Sequence, residues 1–366
     1  IFLEVAPGAT QIYEFTLPKN HPAGTFFYHP HLHKFTAEQV FGGLGGIFVV
    51  RGELDAIPEV QAAREEFLFL KDLALDASGQ IPSPRPMDLM RGREGSILTV
   101  NGQLNPSIAM PAQGLVRLRI VNASASRFYR LSLEEHPLYL IATDGGAIAR
   151  PVELQELLLS PGERAEVLVR GNRPPGAYRL LNLPYDRGGH IGMMGHGMHG
   201  GRMGGGGMGH ATTASNQPQV IATLRYQNSV AQPLPLPEKL LPVETLPQPS
   251  QTRRIEMSMA MGMQPGMGMQ MVFLFNNQSF DMERIDAVAQ LGSVEDWDLV
   301  NLDPDGMEHP FHLHINPFQV ISRNGKPEPY PAWKDTVRVR ANETVRIRIP
   351  FRNFAGKTVY HCHVLD

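Results

Sequence analysis

The sequence predicts an all-β fold of three β-sandwich domains, and three observations support this prediction. The 366 residues include 36 glycines and 31 prolines, which divide the chain into short runs bounded by turn residues, a pattern typical of strands. Hydrophobic residues make up 42% of the chain, enough to give two or three domains a core each. One strand-loop-strand pattern also occurs three times. Helices are therefore expected to be a minor part of the fold.

Alternation of apolar and charged residues predicts two half-buried strands. Residues 116–120 read Val-Arg-Leu-Arg-Ile, and residues 345–349 read Val-Arg-Ile-Arg-Ile. Because successive side chains of a strand point to opposite faces, each segment is expected to bury its aliphatic face and to expose its arginines.

The repeated pattern consists of a turn, an alternating strand, a loop with glycine and a second strand. When the copies are aligned on their loop glycines, the last two histidines of the first copy match the last two of the third, and the middle copy has leucines there. Copies so far apart indicate domain duplication, after which the middle domain lost the histidines. The copies lie at residues 6–31, 160–184 and 340–363.

These copies predict the domain boundaries. We place a truncated first domain at residues 1–52, a second domain at 64–226 and a third at 250–366. The proline-rich residues 231–249 link the second domain to the third and are expected to be extended and stiff. Both ends of the chain read as interrupted, because no initiator Met or signal peptide precedes the first strand pattern.

Eight of the 14 histidines fall in three short clusters. A single histidine on a strand is usually exposed to solvent or hydrogen-bonded in a core, but three clusters in corresponding positions favour a metal site. Because residues i and i+2 of a strand share a face, each cluster can present two imidazoles to one point. The clusters are His29, His31 and His33; His309, His312 and His314; and His361 and His363.

The only cysteine, Cys362, lies between His361 and His363. Its sulfur should point away from both imidazoles, so that one segment can serve two metal centres on opposite sides of a strand, and His309 could join the thiolate. A thiolate with imidazoles favours copper of the blue electron-transfer type, and imidazoles alone also suit copper. Zinc is the rival metal, although structural zinc sites are usually richer in cysteine. A nucleophilic cysteine is a further alternative, but the neighbouring histidines face away from it.

Three segments resemble copper-binding signatures of the multicopper oxidase family, and the chain as a whole is most similar to three-domain bacterial laccases, in particular those of thermophiles. The resemblance implies three cupredoxin-like Greek-key β-sandwich domains, the first truncated. It also implies a copper cofactor of type 1, type 2 and binuclear type 3 centres, with four ions in a complete enzyme. The segments are residues 24–50, 309–320 and 359–364.

The resemblance implies roles for eight candidate copper ligands. His33 matches a family position that does not bind copper, and Lys34 stands where glycine is usual. The remaining ligands of the family, a His-x-His-Gly signature, a last type 1 histidine and an axial residue, are expected before Ile1 and after Asp366. The expected ligands are His29, His31, His314, His361 and His363 for type 3, His312 for type 2, and His309 and Cys362 for type 1.

The resemblance further implies an oxidase that takes electrons singly from phenolic or aromatic donors and passes four of them to dioxygen, forming water. Electrons are expected to travel through Cys362 to the histidines on either side of it, and the edge of His309 is expected to face the donor. The middle domain would be a spacer that packs the outer two together. A cuprous oxidase serving copper tolerance is the nearest variant. A non-catalytic, truncated copper-binding protein is the alternative from another class, whereas a two-domain nitrite reductase would lack the type 3 pair.

Two methionine-rich segments bear on the donor. Methionines at every second position from Met257 to Met263, and again from Met267 to Met271, predict a hairpin with one thioether face. Thioethers prefer Cu(I), but these side chains could equally fill an apolar face. Residues 192–210, rich in glycine, methionine and histidine, are expected to form a mobile loop that binds copper weakly at most. Similar insertions occur in family members that oxidise cuprous ion.

Composition excludes several partner classes. The 33 basic and 36 acidic residues nearly cancel, and no Lys/Arg cluster predicts contact with nucleic acid. No run of 18 apolar residues predicts a membrane span. A single cysteine excludes an internal disulfide. A periplasmic or secreted location is implied by the family resemblance only.

Overall fold

The computed structural model describes residues 4–19, 21–188, 217–230, 233–264, 268–303 and 306–365. Strands predominate in these residues and the helices are short, which confirms the all-β prediction. The first part of the chain folds as β1 (Gly24–Tyr28), α1 (Thr36–Phe41), β2 (Gly46–Val50), a 3₁₀ helix (Glu53–Ala56) and α2 (Pro58–Ala62).

The middle part of the chain forms a β-sandwich. Its sheets have the strand orders β4-β3-β6-β11-β8-β9 and β10-β7-β12-β13-β5 in the numbering below. The elements are β3 (Arg64–Leu73), α3 (Pro86–Arg91), β4 (Ile97–Val100), β5 (Ser107–Ala112), β6 (Leu115–Asn122), β7 (Tyr129–Leu133), β8 (Leu138–Thr143), β9 (Gly146–Leu154), β10 (Leu157–Leu159), β11 (Arg164–Arg170), β12 (Ala177–Leu183) and β13 (Gln219–Val230).

The last part of the chain forms a second sandwich. One sheet has the order β15-β14-β16-β22-β18-β19, with β20 also paired to β18, and the other has the order β21-β17-β23. The strands are β14 (Gln251–Gln264), β15 (Gly268–Phe275), β16 (Val294–Asn301), β17 (His309–Leu313), β18 (Phe318–Arg323), β19 (Lys326–Pro327), β20 (Trp333–Lys334), β21 (Thr336–Val339), β22 (Thr344–Pro350) and β23 (Tyr360–Cys362).

Each sandwich has its own hydrophobic core between its two sheets. In the middle sandwich, Leu118 of β6 packs in one cluster with Leu131 of β7 and Leu224 of β13 from the opposite sheet. In the last sandwich, Trp297 of β16 shares a cluster with Phe311 of β17 from the small sheet. Because β17 and β23 lie in that small sheet, the core on one side of it holds the histidine motifs in place.

Strand β22 confirms the half-buried prediction. Its aliphatic residues are fully buried, and its two arginines lie on the other face. There Arg346 pairs with Asp298 at 2.7 Å and Arg348 pairs with Asp296 at 2.7 Å.

Strand β6 does not follow the prediction, because every one of its residues is buried. Arg119 is 0% exposed and Arg117 is 3% exposed. Both guanidinium groups bind Glu166 of β11, at 2.5 Å from Arg119 and 2.6 Å from Arg117, and both bind Asp55 of the 3₁₀ helix. The arginines are buried because the first part of the chain covers this face of the sheet and supplies carboxylates to it.

Strand β1 lies against this charged face of the middle sandwich. The hydroxyl of Thr25 in β1 donates to Glu166 at 2.7 Å and accepts a hydrogen bond from Arg119 at 3.0 Å. β1 also pairs antiparallel with β2. The hydrogen bonds of Thr25 therefore attach this pair of strands to the middle sandwich. The ion network thereby sets the position of the segment that follows β1, which carries His29 and His31.

The linker between the sandwiches has neither helix nor strand over residues 233–249. The amide of Leu234 donates to the carbonyl of Gln113, and that of Leu240 donates to the carbonyl of Ala149. The linker is therefore bound along the middle sandwich. The domain boundaries given above stay predictions, and residues 192–210 lie outside the described residues. Among the described helices, none is long and apolar enough to cross a membrane.

We expect Glu166→Ala to destabilise the protein by about 3–5 kcal/mol, because it removes the buried carboxylate that pairs with both buried guanidinium groups. The measurement is the free energy of unfolding in urea. Glu156→Ala is the control, since Glu156 pairs with Arg130 where the two side chains are 39% and 41% exposed, and its loss should cost at most about 1 kcal/mol. Equal losses in the two variants would contradict this account of the network.

Candidate metal centre

The small sheet β21-β17-β23 brings two of the histidine motifs together. β17 pairs antiparallel with β23, with His312 opposite His361 and Phe311 opposite Cys362. His314 follows β17 directly, and His363 follows β23. The i and i+2 spacing in both motifs therefore points their imidazoles to the same side of the sheet.

Six imidazole rings meet beside this sheet. The segment after β1 supplies two of them, and neighbouring ring centroids in the cluster are 4.8 to 5.6 Å apart. The Nε2 atom of His361 lies 3.1 Å from the Nε2 atoms of both His31 and His314. We call this the histidine cluster; its members are His29, His31, His312, His314, His361 and His363.

Backbone carbonyls orient three of these rings. The Nδ1 atom lies 2.8 Å from the carbonyl of Pro30 in His29, 2.8 Å from that of Cys362 in His361, and 2.9 Å from that of Asp335 in His312. A ring nitrogen that faces a carbonyl must carry the proton, so the Nε2 atom of each ring keeps a lone pair. Histidines that bind a metal through one ring nitrogen usually donate a hydrogen bond from the other in this way.

Burial keeps five imidazoles of the cluster neutral. Burial lowers the pKa of His29 and of His31 to about 4, and burial together with the neighbouring imidazoles lowers the pKa of His314, His361 and His363. At neutral pH these rings therefore present lone pairs instead of competing protons.

The cluster fits a metal that prefers nitrogen ligands. Ring nitrogens of His31, His314 and His361 lie within 4.8 Å of one another, and the buried Nδ1 of His363 has no hydrogen-bond partner among the described residues. A buried polar atom without a partner is costly, and so many converging nitrogens are hard to satisfy by hydrogen bonds alone. Imidazole donors suit copper and zinc.

Cys362 points to the other side of the small sheet, as the sequence predicts. Its Sγ lies 3.6 Å from Nδ1 of His309, and Nε2 of His309 lies 3.2 Å from a carboxylate oxygen of Asp303. Burial lowers the pKa of His309, but the hydrogen bonds with Asp303 and Cys362 outweigh it and raise the pKa to about 9. The proton on Nδ1 of His309 thus lies between this nitrogen and Sγ of Cys362, the two atoms that could bind one metal ion.

The edge of His309 that is expected to face a donor is buried among the described residues. The residue is 2% exposed, its Nε2 is occupied by Asp303, and the ring of Phe273 from β15 lies 6.2 Å from its own. Carboxylate and aromatic neighbours from a loop and from the methionine hairpin cover this edge.

His33 and Lys34 follow the first histidine pair and do not join the cluster. The ring of His33 packs against Phe280 at 5.0 Å. Lys34 has a φ of 71°, which lies in the left-handed region where glycine has no steric cost. This backbone geometry explains why glycine would be the favoured residue at that position.

The sequence did not reveal the polar groups around the motifs. Asp335 and Thr336 at the start of β21 both reach Nδ1 of His312, the first through its carbonyl and the second through Oγ1 at 3.0 Å. Asp303 was missed as well. The signal that could have found them is weak, since all three residues lie next to strand ends where polar residues are common.

Comparison with known proteins agrees with this geometry. Three models of the multicopper oxidase family match residues 2–55, 74–196 and 248–366. The fold matches the solved structure of a multicopper oxidase from Campylobacter jejuni, described as a metallo-oxidase, with a TM-score of 0.81 and 34% identity over 99% of this chain and 73% of that one. The chain belongs to the multicopper oxidase family.

Two further relatives carry other names. A cell division protein FtsP from Xenorhabdus nematophila is 32% identical over 96% of this chain and 69% of its own length. A laccase from Bacillus stratosphericus is 26% identical over 97% of this chain and 71% of its own length. Family membership confirms the cupredoxin-like fold and the prediction of a copper oxidoreductase.

We expect His314→Ala to weaken copper binding in the cluster by at least about tenfold, because it removes a nitrogen that converges with two others. His33→Ala is the matched control, since His33 belongs to the same motif region but packs against Phe280. Copper bound after dialysis, measured by mass spectrometry, should fall in the first variant and not in the second. A similar loss in both would contradict the assignment of the cluster.

Proposed function

We propose that the protein is a laccase-like multicopper oxidase that couples the one-electron oxidation of phenolic or aromatic donors to the four-electron reduction of dioxygen to water. The observation that carries this proposal is the opposite orientation of Cys362 and its two neighbours. The sulfur lies beside His309 on one side of the small sheet, and His361 and His363 enter the histidine cluster on the other.

The ligand roles in this proposal are those that the family resemblance implies, and the geometry is compatible with them. His309 and Cys362 are assigned to the type 1 centre, and His312 is assigned to the type 2 centre. The last assignment follows the family resemblance, and the ring of His312 is oriented by the carbonyl of Asp335. The type 3 pair is assigned to His29, His31, His314, His361 and His363.

Copper held at these positions would supply the redox chemistry. Four one-electron oxidations of a donor would provide four electrons, which together with four protons would reduce one dioxygen to two waters. The chain contributes the path and the environment. Cys362 is joined to a cluster histidine by one peptide unit on each side, so the thiolate and the imidazoles are connected through covalent bonds. The buried, neutral rings hold their lone pairs ready for metal at neutral pH.

A cuprous donor is the second candidate, and the methionine hairpin favours it. β14 and β15 form an antiparallel hairpin, as the sequence predicts, with Met259 opposite Phe273 and Met261 opposite Met271. The ring of Phe273 contacts that of His309, so this hairpin lies beside the proposed type 1 centre. Thioethers prefer Cu(I), and a relative is described as a metallo-oxidase.

The first experiment is the visible spectrum of the protein loaded with Cu(II), followed by oxygen uptake with a methoxyphenol as donor. The proposal predicts an intense thiolate-to-copper absorption band that bleaches on addition of the phenol, together with oxygen consumption. Cys362→Ser is the control and should lack both. Copper binding without the band and without oxygen uptake would favour a copper-binding protein that does not turn over.

The donor class can be tested by substitution in the hairpin. We expect Met259→Leu combined with Met271→Leu to lower kcat/KM for Cu(I) by roughly tenfold, the equivalent of about 1.4 kcal/mol, and to lower it less for a phenol. Met282→Leu is the control, because Met282 is an exposed methionine outside the hairpin. Oxygen uptake at several Cu(I) concentrations measures the difference. Equal effects on both donors would remove the support for a cuprous site.

A further inference from the structure

We propose that Arg164, in the middle sandwich, is a positioning residue for the histidine cluster and acts through Asp335 on His312. The inference rests on the proposed function, since it assigns a task to a domain that the family resemblance describes as free of ligands. In this proposal the middle sandwich determines how the ligand segments from the first and last parts of the chain meet.

The guanidinium group of Arg164 is buried and fully hydrogen-bonded. It binds both carboxylate oxygens of Asp335 at 2.6 Å. Its remaining N–H groups donate to the carbonyls of Thr25 at 3.1 Å, Gly162 at 3.1 Å and Asp144 at 3.0 Å. All five donors of an arginine are thereby used, which holds the planar group in one orientation.

The contact with Asp335 leads directly to a proposed copper ligand. The carbonyl of Asp335 accepts a hydrogen bond from Nδ1 of His312 at 2.9 Å. Its carboxylate also accepts one from the hydroxyl of Thr336 at 2.9 Å, and that hydroxyl lies 3.0 Å from the same Nδ1. The position of Asp335 therefore sets both the protonated nitrogen and the ring orientation of His312, and Arg164 sets the position of Asp335.

The other contacts of Arg164 border the remaining ligand segments. Thr25 belongs to β1, which leads into the segment with His29 and His31. Gly162 has a φ of 80°, and a Cβ atom added there would lie 2.6 Å from the ring of His363. One side chain thus bridges backbone points beside all three segments that form the cluster.

An arginine is required for this arrangement. A lysine keeps the charge but offers a single nitrogen, which cannot make two parallel bonds to a carboxylate and three further bonds to carbonyls on different elements. We therefore expect Arg164→Lys to fold and yet to leave Asp335 and His312 free to reorient. Asp335→Asn should have the same effect, because it removes the other half of the bidentate pair.

The test compares Arg164→Lys and Asp335→Asn with Arg348→Lys, which disrupts a bidentate pair with Asp296 in the last sandwich. Each protein is titrated with Cu(II), and two signals are recorded. The electron paramagnetic resonance spectrum reports copper on the histidine cluster, and the thiolate-to-copper absorption band reports copper at Cys362. The metal-free proteins are also compared by nitrogen NMR for the slowly exchanging Nδ1 proton of His312.

The proposal predicts that Arg164→Lys and Asp335→Asn weaken copper binding in the cluster by about 10- to 100-fold, alter its resonance spectrum, lose the protected Nδ1 proton and keep the Cys362 band. The double variant should be no worse than either single variant, since both break one interaction. Arg348→Lys should resemble the wild type. Unchanged cluster copper and an unchanged Nδ1 proton in Arg164→Lys would overturn the inference, as would equal damage to both signals in all three variants. A wild-type protein that binds no copper in the cluster would instead overturn the proposed function.

Discussion

The alternation of side chains along β23 is the constraint on which the site depends. Adjacent residues of a strand must face opposite sides, so Cys362 cannot enter the same environment as His361 and His363. The structure uses this rule to keep one sulfur near His309 at 3.6 Å and to place two imidazoles in a separate cluster. The covalent chain then connects two environments that side-chain packing keeps apart.

Buried ion pairs connect the first part of the chain to the middle sandwich, and the middle sandwich to the last one. Arg119 of the middle sandwich pairs with Asp55 of the first part of the chain, and Arg164 and Asp335 join the middle sandwich to the last one. A hydrophobic interface would bury apolar area but would not fix how two parts of the chain are oriented. Buried bidentate ion pairs fix that relative orientation, at the cost of removing the charges from water. A site assembled from three segments needs that orientation.

Local patterns were sufficient to predict the all-β class, the methionine hairpin, the half-buried β22 and the histidine pairs, because each depends on the two-residue period of a strand. They failed where partners come from distant segments. β6 has the same alternation as β22, yet its arginines are buried by carboxylates from the 3₁₀ helix and β11. The burial of His309 depends on Phe273 and Asp303 in the same way. The group that orients His312 is a backbone carbonyl, which every residue possesses, so no residue type could have revealed it.

The close approach of Gly162 to the ring of His363 has a consequence for how this protein can diverge. After duplication, a domain without metal ligands would ordinarily be released from the selection that metal chemistry imposes. Position 162 of the middle sandwich remains under that selection, because any side chain there would press against the ring of His363 in the last sandwich.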